Sequence, residues 1–265
     1  MRRLEGRVAL VSGGLRGIGR AISTCLAEDG ACTLITDLDP VDSAEVGEAL
    51  RTIDNAAYIR LDATQEDDWI AAREEIARDY GHLDILVNNV GSGLTGKVQD
   101  LLLDDWRRLM TINVDTVFLG TKIMQPLLAT GGARASGGSA IINISSIMGL
   151  VGMGETSAYN ASKGAVRLFT KATALEFADA GVPIRVNSVH PGFVDTPLTQ
   201  KGMEEWAARE GGTAADLVRA VIDATPFKRL AQPREIGKVV AFLASDDASY
   251  MTGSEVVVDG GWTAR

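Results

Sequence analysis

Val8-Ala9-Leu10-Val11-Ser12-Gly13-Gly14-Leu15-Arg16-Gly17-Ile18-Gly19 joins a short apolar run to a glycine-rich turn, and an amphipathic stretch follows from about residue 17 to 29. Strand, glycine turn and helix in that order build a phosphate cradle. Glycines let the backbone approach a diphosphate closely, and the helix N-terminus offers unpaired N–H groups and a favourable dipole. A glycine-rich turn alone is often only a tight turn; its place directly after a first strand makes it a nucleotide site. Gly13, Arg16, Gly17, Ile18 and Gly19 are its expected contacts.

The same alternation continues along the chain. Apolar runs at 8–12, 32–36, 57–61, 83–87, 140–144, 184–189 and 255–258 read as seven strands. Stretches at 17–29, 41–52, 65–80, 104–129, 157–180 and 233–244 show helical periodicity. Thr64-Gln65-Glu66-Asp67 has the form of a capping box opening the third helix, and Gly181 followed by Pro183 closes the helix over 157–180. Such regular alternation predicts an α/β doubly wound Rossmann fold, with a seven-stranded parallel sheet and helices on both faces. The length of 265 residues suits a single domain over 1–265. Residues 131–138 read as a small-residue surface loop, and 195–225, which lack a strand, as a flap of short helices over the sheet's carboxyl edge.

Charge and composition exclude several classes. A net charge of −9 would repel nucleic acid and anionic membranes. The apolar runs are strand-length, and no apolar segment follows the N-terminal charges, so a soluble cytoplasmic protein is expected. Cys25 and Cys32 lack metal-ligand or disulfide spacing and read as small apolar residues, and His82 and His190 are too separated for a metal cluster.

Tyr159 and Lys163, four residues apart on a predicted helix, share one face with Cβ atoms about 5–6 Å apart. A tyrosine with pKa near 10 carries protons poorly at neutral pH, and a fixed ammonium nearby is expected to pull that value down. Bringing it to about 7 requires roughly 4 kcal/mol of differential interaction. Asp37 ends the second strand, where a carboxylate can accept hydrogen bonds from both adenosine ribose hydroxyls and repel a 2′-phosphate by about 4 kcal/mol at 4 Å and an effective dielectric near 20. This favours NAD over NADP. Arg16 is the counter-signal, since its guanidinium could reach such a phosphate, and Asp39 reads as turn chemistry.

These residues, with Asp62 after strand three, Asn88-Asn89-Val90-Gly91 after strand four, Asn113, Ser145-Ser146 after strand five and Pro191-Gly192 with Thr196 after strand six, resemble the short-chain dehydrogenase/reductase family over nearly the whole chain. Val90 stands where that family usually has alanine, and Ser12 where threonine is commoner. The resemblance implies a catalytic set of Asn113, Ser146, Tyr159 and Lys163. Asn113 would hold a water in a proton relay, Ser146 would polarise the substrate oxygen, and Lys163 would grip the nicotinamide ribose while acidifying Tyr159. It also implies cofactor contacts at Asp62, Ala63, Asn89, Val90, Gly91, Pro191, Gly192, Val194 and Thr196, with Asp62 on adenine and Thr196 on the carboxamide.

The predicted substrate pocket comprises Ser92, Leu94, Ser146, Met148, Met153, Leu198, Met203 and Trp206, with Gly93 and Leu150 nearby. Nearly all are apolar, which favours a neutral, hydrophobic secondary alcohol or its ketone, cyclic or steroid-like. Two alternatives remain: a 3-oxoacyl-carrier-protein reductase, which the acidic charge and Asp37 oppose, and a non-catalytic NAD-binding regulator, which has no need of a proton relay. The resemblance further implies a homotetramer, formed through the helices near 104–129 and 157–180 and through the last strand.

Overall fold

The computed structural model describes residues 2–264. Runs of four to eight residues form the strands β1 (Val8–Ser12), β2 (Cys32–Asp37), β3 (Ala56–Arg60), β4 (Ile85–Asn88), β5 (Ser139–Ile144), β6 (Ile184–Pro191) and β7 (Glu255–Val258), mostly buried except in β3 and β7. The helices are α1 (Gly17–Glu28), α2 (Ala44–Thr52), α3 (Glu66–Asp79), α4 (Leu103–Met110), α5 (Thr116–Gly132), α6 (Ser157–Asp179), α7 (Pro197–Glu210), α8 (Ala214–Ala224) and α9 (Pro233–Ala244). All seven strands run parallel in the order β3-β2-β1-β4-β5-β6-β7. The chain winds outward from β1 to β3, then returns to place β4 on the other side of β1. At that reversal the carboxyl ends of two adjacent strands part and open a crevice.

Side chains alternate across the sheet. Ala9, Val11, Ile85, Val87 and Ile142 pack with Ile22 and Leu26 of α1 and with Ile236 and Val240 of α9. Val8, Leu10, Leu86 and Ile141 face the other way, against Trp69 and Ile76 of α3 and Met124 and Leu128 of α5. Covering both faces explains why the strands read as continuous apolar runs.

Two local expectations are corrected. The stretch 104–129 is not one helix: α4 and α5 are separated by a π turn, Thr111–Asp115, centred on the fully buried Asn113. Apolar periodicity cannot reveal such a widening, because it arises when a side chain is drawn to partners elsewhere in the fold. The capping box at Thr64 does not form either. Thr64 gives its hydroxyl to Asp62 Oδ1 at 2.7 Å, and α3 starts after Gln65, with Glu66, Asp67 and Asp68 against the helix dipole. Strand edges also shift by a residue or two: β6 runs on to Pro191, and β4 covers 85–88 rather than 83–87. Residues 195–225 contain α7 and α8, joined through Gly211 and Gly212 at φ of 82° and 96°. Among the described residues, no helix is long and apolar enough to cross a membrane.

Candidate active site

The glycine turn lies at the crevice between β1 and β4. Gly13 has φ +63°, and a Cβ at Gly19 would collide with the Gly13 carbonyl oxygen and sit 2.6 Å from Asn89 Nδ2, so only glycine allows the turn to close against α1. Asn89 stitches the two strand ends together, donating from Nδ2 to the carbonyls of Ser12 at 3.0 Å and Gly13 at 2.9 Å. The Ser12 hydroxyl accepts from Asn89 N at 3.0 Å, which any hydroxyl residue there can do. Val90 lays a methyl against Gly13. Gly17 faces Thr196, which is itself the N-cap of α7 and accepts from Thr199 N at 3.2 Å. Ile18 packs against the core that includes α9, and Val194 has its side chain in the same core and its backbone bridged to Ala231.

Asp37 sits at the tip of β2, its carboxylate accepting from Leu15 N at 3.2 Å and Leu38 N at 2.9 Å. Arg16 is turned onto Asp39 in a two-pronged pair at 2.6 and 2.7 Å. Asp39 is therefore more than turn chemistry, and the guanidinium holds its carboxyl below the usual range. Asp62 closes its own turn by accepting from Thr64 N at 3.0 Å, with Ala63 buried beside it and its carbonyl receiving Trp69 Nε1 at 2.9 Å.

The catalytic candidates converge from three elements: the π turn, the end of β5 and α6. Ser146 follows β5, and its hydroxyl accepts from Met148 N at 3.1 Å and faces the Tyr159 phenol, to which it can donate. Tyr159 and Lys163 lie on one face of α6, Nζ standing 5.9 Å from the phenol ring centre. The buried Lys163 donates from Nζ to the Ile144 carbonyl at 3.0 Å. A methyl at Gly91 would lie 3.3 Å from Lys163 Nζ and 3.5 Å from Asn113 Oδ1, so the end of β4 abuts both. The Asn113 side chain clamps the Ser92 backbone, accepting from its N–H at 2.8 Å and donating to its carbonyl at 3.0 Å, and also donates to Ser162 Oγ at 2.9 Å.

The expected acidification of Tyr159 by Lys163 is corrected. Burial pushes the phenol above its ordinary value, with the Ser146 hydroxyl pulling the other way. Burial likewise brings Lys163 down to about 8. Both shifts have one cause: the desolvated surroundings disfavour ammonium and phenolate alike, and the ammonium is committed to a carbonyl rather than to the phenol oxygen. In the protein alone Tyr159 is a neutral acid.

A cavity of about 200 Å³ opens over Ser146 and Tyr159, lined by all eight predicted pocket residues and by Gly93. Leu150 is not part of its wall. Sequence reasoning missed Phe193, Thr156, Lys201 and Glu205 in the lining. The pocket is therefore less uniformly apolar than expected, although Lys201 and Glu205 are exposed and stand 3.7 Å apart at its mouth. Also missed were Asn160, which donates to the Met148 carbonyl at 2.6 Å, and His190, whose Nδ1 lies 2.9 Å from the Ser146 carbonyl oxygen. Their neighbours in sequence, Tyr159 and Pro191, were the only signals available.

The sequence from 13 to 263 matches the family model described as enoyl-(acyl carrier protein) reductase. Relatives match from end to end: the chain is 42% identical over 267 residues to cyclopentanol dehydrogenase of Comamonas testosteroni, covering 100% of each protein. The protein belongs to the short-chain dehydrogenase/reductase family. Another member, the NADP-dependent (R)-specific alcohol dehydrogenase of Lentilactobacillus kefiri, is 36% identical over 265 residues, covering 99% of each. The crystal structure of gox2181 superposes with a TM-score of 0.87 at 33% identity, over 99% of this chain and 98% of that one. Membership in the short-chain dehydrogenase/reductase family makes the protein an oxidoreductase that works with a nicotinamide cofactor, and the glycine turn and Asn89 clamp at the strand crevice suit a dinucleotide.

Proposed function

We propose that this protein is an NAD(H)-dependent dehydrogenase that interconverts a neutral, hydrophobic, monocyclic secondary alcohol and its ketone. The observation that carries this reading is the cavity of about 200 Å³ over Ser146 and Tyr159, with methionine, leucine and tryptophan in its wall. Benzene-sized ligands occupy apolar cavities of roughly 150 Å³, so one ring fits, whereas a steroid would extend through the mouth. The 42% identity to a cyclopentanol dehydrogenase points the same way.

In this reading Ser146 donates its hydroxyl hydrogen to the substrate oxygen and steadies the charge that develops there. Tyr159 exchanges the proton with that oxygen, as acid toward a ketone and as base toward an alcohol. A bound nicotinamide would supply the hydride chemistry, and in its oxidised form a positive charge that favours the phenolate. Lys163 holds ribose hydroxyls, and Asn113 keeps the Ser92 segment beside the cavity while serving the proton relay. Gly13, Arg16, Gly17, Ile18, Gly19 and Asp37 hold the adenosine and diphosphate side, together with Asp62, Ala63, Asn89, Val90 and Gly91. Pro191, Gly192, Val194 and Thr196 hold the nicotinamide side. NAD is favoured over NADP because Asp37 ends β2 and Arg16 is engaged by Asp39. Helices α7 and α8 form the flap over the substrate.

Assembly as a homotetramer is part of the proposal, supported by Phe118 on α5 and Leu168 and Leu175 on α6, which are 46%, 64% and 64% exposed in the isolated chain. Light scattering at micromolar concentration checks it. The activity is tested by following NADH fluorescence against small cyclic alcohols, steroid alcohols and acyl-carrier substrates. Turnover of cyclopentanol-sized alcohols well above the rest is the expected result; preference for the acyl carrier would favour the reductase alternative, and no turnover would favour the regulator.

A further inference from the structure

We propose that His190 is a positioning residue for the reaction, acting through Ser146 by holding its backbone carbonyl. This rests on the reading of Ser146 as the group that polarises the substrate oxygen. β5 and β6 pair through Ile144 and Val189, and one more ladder bond follows, from Ser145 N to the Val189 carbonyl at 2.8 Å. Beyond it the ladder stops and the chain turns into a short 3-10 turn, Ile147–Gly149. Ser146 sits at that break. Its hydroxyl is aimed only as well as its peptide is held, and the peptide no longer has a strand to hold it.

His190 substitutes for the missing strand bond. It is fully buried on β6, and its Nδ1 lies 2.9 Å from the Ser146 carbonyl oxygen, which also accepts from Gly149 N at 2.9 Å. A carbonyl can only accept, so Nδ1 carries the hydrogen. The other ring nitrogen, Nε2, lies 2.8 Å from Ser188 Oγ and accepts that hydroxyl's hydrogen. The Ser188 hydroxyl also lies 3.3 Å from the Ser254 carbonyl, a longer contact than the 2.8 Å to Nε2, so the ring nitrogen is its nearer acceptor. Ser188, two residues before His190 and on the same face of β6, thus fixes both the ring's orientation and its tautomer. Burial keeps the imidazole neutral, which this arrangement requires. Every polar atom of the ring has a partner, and one of those partners is the peptide that aims Ser146.

The test compares His190→Leu, His190→Asn and His190→Gln in steady-state kinetics with the preferred alcohol, alongside NADH binding and Tm. The asparagine amide branches where Nδ1 does and can still donate to the Ser146 carbonyl, whereas glutamine reaches the Nε2 position instead. The leucine and glutamine variants are expected to lose kcat by about ten-fold or more while KM and NADH affinity change by less than about three-fold, and asparagine is expected to recover most of the loss. In the background of Ser146→Ala, His190→Leu should cost little further, since the two act as a unit. Equal losses in asparagine and glutamine variants, kcat near wild type in both, or a kcat loss matched by lost NADH binding would overturn the proposal. If Ser146→Ala itself keeps full kcat, the reading of Ser146 fails rather than that of His190. Should the leucine variant not fold, the contrast between asparagine and glutamine decides alone.

Discussion

Arg16 and Asp39 face each other beside the tip of β2, two guanidinium nitrogens on two carboxylate oxygens at 2.6 and 2.7 Å. Arg16 is half exposed, so the pair adds little to stability. In the proposed reading its consequence lies in ligand choice: Arg16, the guanidinium expected to meet a 2′-phosphate, is already engaged, and Asp37 adds a second negative charge. Replacing both carboxylates, Asp37→Asn with Asp39→Asn, is expected to raise kcat/KM for NADP relative to NAD by about a hundred-fold, or about 2.7 kcal/mol. Each single change should give less than half of that in free energy. Steady-state kinetics with both cofactors measures it, and an unchanged ratio in the double variant would remove these carboxylates from cofactor selection.

Tyr159→Phe keeps the ring beside Lys163 and removes only the proton-carrying oxygen. Turnover should fall by about 10²-fold to 10⁴-fold, the usual worth of a general acid or base, while NADH binding by fluorescence stays within a few-fold. Retained turnover would take Tyr159 out of the chemistry.

Lys163 supplies a stability signature. Its folded pKa of about 8 lies below the ordinary 10.5, so ionising the buried ammonium costs the folded state about 3 kcal/mol below pH 8. That cost shrinks as pH rises from 8 toward 10.5, where the unfolded chain also releases its proton. Lys163→Met loses the bond to the Ile144 carbonyl at every pH but is freed of the ionisation cost. The Tm of the variant relative to wild type should therefore be highest near pH 7 and fall steadily toward pH 10.5. A difference that stays flat across that range would contradict the depressed pKa.

Trp206 is half-buried in the cavity wall. Trp206→Ala should lower kcat/KM for cyclopentanol by about 10-fold to 100-fold, in keeping with 1–3 kcal/mol for apolar contacts in a pocket, and lower it much less for a bicyclic alcohol that fills the space. Parallel losses on both substrates would place Trp206 outside the binding surface.

The sequence alone determined the doubly wound sheet, the glycine turn and the common face of Tyr159 and Lys163, because each depends on spacing within one short segment: apolar runs of strand length, glycines at a strand end, and a four-residue step on a helix. Cavity residues as distant in sequence as Leu94 and Trp206 were also legible, since they follow strand ends that a parallel sheet must gather on one edge. Only the tertiary structure decided the rest. The π turn at Asn113, the capture of Arg16 by Asp39 and the grip of His190 on Ser146 each join side chains to partners 21 to 49 residues away. No local pattern encodes such partners. The same holds for the phenol of Tyr159: its charge state is set by how much water the surrounding segments exclude, a property of packing that the Tyr-Lys spacing does not contain.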